Sequence, residues 1–243
     1  MYTIKKAKQM VNLTSSFEEG AWKDAENIAI ANVMGKSSAH HPIVNARLLY
    51  DDMGIYIRFE VQDRYVRAVQ TEYQASVCGD SCVEFFVQPK ARKDYFNFEM
   101  NAIGTLLLYN IVDHSRGPNG FADYSKVPAE KLQGMSIATS LHGVIDPEIT
   151  APVDWSLAAF IPFSIFDLDK KVASGDIWRA NLYKCADKTS HPHWITAYPI
   201  SQLNYHLPEC FQEPAGGSST CLRRWRCTDA FRKLRNSVPM CRG

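Results

Sequence analysis

Two carboxyls and one amide stand at spacings that could place them on a single surface. Glu84 lies in DSCVEFFVQP (80–89), and Glu99 and Asn101 lie in YFNFEMNAIG (95–104). Such a set can hydrogen-bond a polar ligand. It can also hold a calcium ion, because carboxylates with an amide carbonyl suit hard cations. A carboxyl pair with one raised pKa can act as acid and base. Around them stand groups of less decided use. Cys78 and Cys82 have CxxxC spacing without a matching second pair, which does not make a zinc site. The pair His40–His41 and the His191/His193 pair lack a third ligand at recognisable spacing.

Both stretches that carry these groups alternate. Val83, Phe85 and Val87 point one way, and Cys82, Glu84, Phe86 and Gln88 the other; Phe96, Phe98 and Met100 oppose Tyr95, Asn97, Glu99 and Asn101. Period two means β-strands with one face in a core. Arg92 to Asp94 suits a hairpin loop. Further strands are expected at 43–50 and 55–62, joined by a turn with Gly54 at a position tolerating positive φ, and at 105–111, 134–140, 153–161 and 176–186. One helical turn is expected at 162–166, and a long functional or mobile loop at 112–133. Trp22, Trp155 and Trp178 read as core. Sustained helical periodicity is absent, so the fold class is all-β, an antiparallel β-sandwich.

A chain of 243 residues, 46% hydrophobic and 22% charged, can bury one large core. No apolar run reaches the roughly 18 residues of a membrane helix. The start, MYTIKKAKQMVNL, shows no apolar signal core, which points to a cytoplasmic protein unless the N-terminus is incomplete. The seven cysteines read as reduced thiols. Net charge is +1, but residues 212–243 hold seven basic and two acidic residues (net +5), and residues 1–211 hold 20 and 24 (net −4).

Short motifs in order along the chain carry a family resemblance. Trp22, Ala25 and Ile28 open it. RLLYDD (47–52) with IYI (55–57), Asp63, DSCVEFF (80–86), WRANLY (178–183), HWIT (193–196) and YHLPECF (205–211) follow. Together they resemble family 9 carbohydrate-binding modules, and more closely the single-domain family 9-like proteins, over about residues 22–211. The resemblance implies a jelly-roll or immunoglobulin-like sandwich, DOMON-like in architecture. It also implies non-catalytic binding of polysaccharide or oligosaccharide ends in a setting of carbohydrate catabolism, with a glycoside hydrolase as partner and neither nucleic acid nor membrane involved. The family is usually secreted.

In the family two tryptophans clamp a sugar ring. Here the first position is Cys78 and the second Tyr205. The hydroxyl-binding glutamate matches Glu84, an arginine position matches Glu99, and a nearby asparagine matches Asn101. Tyr65 or Tyr73 would replace the missing platform. His206 and Trp194 complete the candidate carbohydrate-binding set of Glu84, Glu99, Asn101, Tyr205, His206, Trp194 and Tyr73. Two alternatives stand beside this reading. One is a glycoside hydrolase using Glu84 and Glu99, and the other a haem- or metal-binding sandwich using Met100. The expected domain spans 1–211. Residues 212–243 are expected to be a basic irregular tail, non-native because the reading frame changes near Gln212; a nucleic-acid-binding tail is the rival.

Overall fold

The computed structural model describes residues 2–118, 120–168, 171–211 and 224–228, the last five as backbone only. In chain order the strands are β1 (Tyr2–Lys6), β2 (Asn27–Ile30), β3 (Asn32–Val33), β4 (Ile43–Tyr50), β5 (Gly54–Asp63), β6 (Val66–Ala68), β7 (Cys82–Gln88) and β8 (Tyr95–Asn101). They continue with β9 (Leu106–Gly117), β10 (Gly120–Lys126), β11 (Ser136–Thr139), β12 (Ile145–Ile149), β13 (Val153–Pro162), β14 (Ile177–Cys185), β15 (Trp194–Thr196) and β16 (Arg224–Thr228). The helical segments among the described residues are short 3-10 turns, one of them at the expected place, Phe163–Phe166. None is long and apolar enough to cross a membrane.

The architecture is an antiparallel sandwich. One layer runs β10-β9-β8-β7-β14, and the other runs β4-β5-β13-β11 with β2 beside β4. Strand β1 lies parallel to β4, and β16 bridges β1 and β14. The sequence reads residues 212–243 as irregular. Five of them form this bridging strand, and the rest lie outside the described residues. The core between the layers contains Val83, Phe85, Val87, Phe96, Phe98 and Met100 from one side and Ile57, Phe59, Leu157 and Ile161 from the other. Each such side chain contributes roughly 1.5–3 kcal/mol on burial. Trp22, Trp155 and Trp178 are buried as expected. Met100 is opposite Val83 inside this apolar core, a placement that gives the haem reading no open axial position.

Three local features depart from the sequence reading. Gly54 is not at positive φ. It is required for close approach, because a Cβ there would stand 2.4 Å from the Ile161 carbonyl oxygen and 2.7 Å from the Phe160 ring. The expected loop at 112–133 instead extends β9 and forms β10, a hairpin paired from Gly117↔Gly120 down to Tyr109↔Lys126. Its outer part is exposed on both faces, so no apolar alternation announced it.

The third departure concerns the outer face of β7 and β8. Every residue of both strands is buried, including the polar ones. A second apolar cluster roofs that face. Cys82, Phe86, Tyr95, Tyr183 and Cys185 on the sheet pack against Ile200, Tyr205, Leu207, Cys210 and Phe211 from the segment after β15. The polar floor is therefore not an ordinary wet face.

Candidate functional site

The roof is incomplete, and the gap is a cavity of about 200 Å³. Glu84 and Glu99 lie at its floor, directly opposite each other on β7 and β8. Opposed side chains in an antiparallel pair have Cβ atoms about 4.5–5.5 Å apart. Cys78 and Cys185 line the side toward β14, and Trp194, Asp187, Asn204, Tyr205 and His206 form the walls. Arg116 reaches in from β9.

Burial sets the electrostatics of the floor. Glu84 is 2% exposed, and its carboxyl pKa is pushed well above the ordinary value by burial and then by the charge of Glu99. Its Oε1 accepts a hydrogen bond from the Cys185 thiol at 3.0 Å, and its Oε2 is buried without a partner. Burial also raises Glu99, to about 7, against the Asn97 amide that donates to its Oε1 at 2.7 Å. A buried polar atom without a partner costs roughly 1–3 kcal/mol, so this floor is held ready for a hydrogen-bonding ligand at the expense of stability.

The walls are fixed by hydrogen bonds and stacking. Tyr205 stacks on Tyr183 with centroids 4.1 Å apart, and its hydroxyl donates to the Lys184 carbonyl at 3.0 Å. The Trp194 indole, half-buried at the rim, donates to Asp187 at 2.8 Å. His206 faces the Tyr95 hydroxyl through Nδ1 at 2.9 Å. Burial and then the nearby Arg116 charge push His206 down to about 3, so it stays neutral. The Arg116 guanidinium lies 3.9 Å over the Phe121 ring, which keeps it extended along the hairpin arm.

Of the seven residues proposed from sequence, Glu84, Glu99, Tyr205, His206 and Trp194 line this one cavity. Asn101 and Tyr73 do not. The Asn101 amide donates to Asp80 Oδ2 and to the Gln70 carbonyl, and its Oδ1 accepts from Thr105 N–H. Its hydrogen bonds are thus spent on the loop before β7 and the turn after β8. Tyr73 donates to the Val127 carbonyl at 2.6 Å and lines a separate surface hollow near Gly104 and Ile137. Tyr65 stacks on His191 at 3.6 Å, away from the cavity. Without Asn101 the Glu84–Glu99–Asn101 calcium set is not assembled. Arg116, Asp187 and Asn204 were missed. The sequence gives Arg116 no signal, because it lies in the polar stretch read as a loop.

A pH dependence follows from the floor. Glu99 has a folded pKa near 7 against an ordinary 4.5. Its contribution to stability is full below pH 4.5 and is lost as pH rises toward 7. A Glu99→Gln variant should therefore gain thermal stability relative to the parent across pH 4.5–7.5, measured as melting temperature against pH. A constant difference over that range would show that Glu99 titrates normally.

Comparison with known proteins agrees with the sandwich architecture. Residues 21–214 match the family described as carbohydrate-binding family 9. A Bacteroides uniformis protein assigned to carbohydrate binding is 24% identical, with TM-score 0.73 over 93% of this chain and 99% of that one. A family 9 carbohydrate-binding module of Caldicellulosiruptor kristjanssonii solved with cellotriose is 14% identical, with TM-score 0.56 over 99% of this chain and all of that one. The same organism's family 9 module solved with glucose is 12% identical, with TM-score 0.54 over 96% of this chain and all of that one. These likenesses bear on the fold. No curated protein matches the sequence. With the family match covering most of its length, the chain belongs to carbohydrate-binding family 9.

Proposed function

We propose that the chain binds the terminal unit of an oligosaccharide or polysaccharide in this cavity, without cleaving it. One observation carries the reading: an open cavity in the incomplete roof, sized for a single ring, with two buried carboxyls on its floor and an aromatic rim. Its 200 Å³ corresponds to roughly seven water volumes. Glu84 Oε2 has no protein partner and is open to a sugar hydroxyl, Arg116 and Asn204 add donors, and Trp194 and Tyr205 offer apolar faces to sugar C–H groups. The related module holds cellotriose and glucose, which makes glucose-terminated chains the first ligands to try.

A hydrolase built on Glu84 and Glu99 fits less well. That chemistry needs its two carboxyls on either side of the scissile bond, about 5–10 Å apart. Here they stand side by side on one floor. Cleavage in this reading falls to a separate glycoside hydrolase. The binding domain is proposed to span residues 1–211, with β16 adding a bridging strand between β1 and β14.

Affinity electrophoresis in gels containing soluble β-glucan, with glucose and cellotriose as competitors, tests the proposal. The parent should be retarded and release no reducing sugar. Arg116→Ala, in an exposed arm that contributes little to the core, should weaken binding about tenfold, as expected for one charge-assisted hydrogen bond. Retardation unchanged by Arg116→Ala and by Tyr205→Ala would remove this cavity as the site.

A further inference from the structure

The thiols beside the cavity form a constellation that sugar binding does not use. Cys82 and Cys185 are opposed residues on β7 and β14, and Glu84, two residues beyond Cys82, shares their face. Both sulfurs and a Glu84 carboxyl oxygen lie within 4.8 Å of one another. All three residues are buried, with Cys82 and Cys185 at 0% and 1% exposure. The cysteines are free. Glu84 supplies the second observation, because its Oε2 is buried without a hydrogen-bond partner while its Oε1 accepts from the Cys185 thiol. The cavity gives access, since Glu84 and Cys185 form part of its lining.

We propose that Cys82, Cys185 and Glu84 form a binding site for a thiophilic divalent cation of the zinc class. Two sulfurs and one carboxylate oxygen are a zinc-type donor set, whereas calcium requires six to eight oxygens. A water in the cavity, which Glu84 and Cys185 line, takes the fourth position. Tetrahedral coordination takes bonds of about 2.3 Å to sulfur and 2.0–2.2 Å to oxygen, which donors within 4.8 Å of one another reach by small side-chain adjustments. The hydrogen bond with Cys82 and then burial raise Cys185, and burial raises the Glu84 carboxyl and pushes Cys82 up to about 12, so all three are held protonated. A bound dication reverses that preference: the two thiol protons and the carboxyl proton leave to solvent as three anionic ligands form around a 2+ charge. Uptake should therefore strengthen as pH rises.

The site is independent of the sugar reading, because metal uptake is measured without sugar. The test is titration of the full chain with Cd²⁺ as zinc surrogate, followed by the ultraviolet thiolate-to-cadmium charge-transfer band, with Zn²⁺ as competitor. The expected result is one tightly held cation per chain, displaced by Zn²⁺. Cys82→Ser and Cys185→Ser should each lose the band, and Glu84→Gln should weaken uptake more than tenfold, at or above the effect of removing an outer-shell partner. Residues 221, 227 and 241 are also cysteines. A chain with those three changed to serine keeps Cys82, Cys185 and Glu84 and should keep the band in full, which decides the matter even where a core variant fails to fold. No band in the parent, a band that survives Cys82→Ser with Cys185→Ser, or a band lost with the three outlying cysteines would overturn the proposal.

Discussion

Glu84→Ala should weaken sugar binding by about 10–100-fold and at the same time raise the melting temperature. The two effects have one cause. A carboxyl that hydrogen-bonds a sugar hydroxyl contributes about 1.5–3 kcal/mol to binding, which is that fold-change in affinity. In the unliganded protein the same carboxyl is 2% exposed, lacks a partner for Oε2 and faces Glu99 across the strand pair. Its pKa is raised by burial and by Glu99, so its stability contribution is full below pH 4.5 and falls as pH rises from there. Removing it relieves a cost of about 1–3 kcal/mol at neutral pH, set against the small cavity left behind. A chain of this size gains about 2–4 °C per kcal/mol. Calorimetry for heat stability and gel retardation for binding separate the outcomes. A glutamate with a purely structural role would give the opposite pair, lower stability and unchanged binding, and that result would end the assignment of Glu84 to the site.

The same residue shows how far the sequence reaches. Alternation around Glu84 and Glu99 placed both on the face opposite Phe85 and Phe98, and the structure agrees. Alternation is local, so strands with one buried face are legible in it. It also suggested that this face was either a ligand surface or wet. What decides between those is the segment 200–211, which folds back over the sheet and contributes Ile200, Tyr205, Leu207 and Phe211 to the roof. That contact spans more than 100 residues of sequence and leaves no periodic trace. The same limit explains Cys185. Cys78 and Cys82 stand close in sequence and drew attention as a pair. The thiol that Cys82 meets is across the sheet on β14. Asn101 failed for a different reason. It shares a face with Glu99, as period two requires, but sits at the strand end, where Thr105 and Asp80 capture its amide. Sharing a face is necessary for sharing a site, and the strand's position along the cavity supplies the rest.

Lys184 obeys the alternation and is the largest exception to its chemistry. In β14, Trp178, Ala180 and Leu182 enter the core, and Lys184 is the next residue on that face. Its side chain is fully buried. The ammonium donates to His193 Nε2 at 2.8 Å and to the Cys185 carbonyl at 3.1 Å, and stands 3.4 Å from Asp63 Oδ2. Asp63 also meets His40 Nε2 at 2.8 Å and accepts from Arg64 N–H at 2.8 Å. His193 Nδ1 faces the His191 carbonyl, so its Nε2 is free to accept from the lysine. Burial, reinforced by the Lys184 charge, pushes His193 to about 3 and keeps it neutral. Of the paired histidines, His40 and His193 are thus members of an ion-pair network.

Lys184→Met is expected to destabilise the fold by about 3–5 kcal/mol, because it leaves the buried Asp63 carboxylate without its counter-charge. The melting temperature should fall by roughly 10 °C. Although burial opposes it, Asp63 is held below its ordinary 3.8 by Lys184 and His40. A depressed carboxyl contributes stability above pH 3.8 that disappears as pH falls through its folded value. In Lys184→Met the loss on acidification should begin at higher pH than in the parent. Adding Asp63→Asn should recover much of the deficit, because the cost lies in the orphaned charge rather than in the missing methylenes. Because Lys184 projects from the opposite face of β14 to Tyr183 and Cys185, sugar affinity per folded molecule should change little in the double variant. A loss below about 1 kcal/mol for Lys184→Met would show that water reaches Asp63 and that the network is not the buried pin its geometry implies.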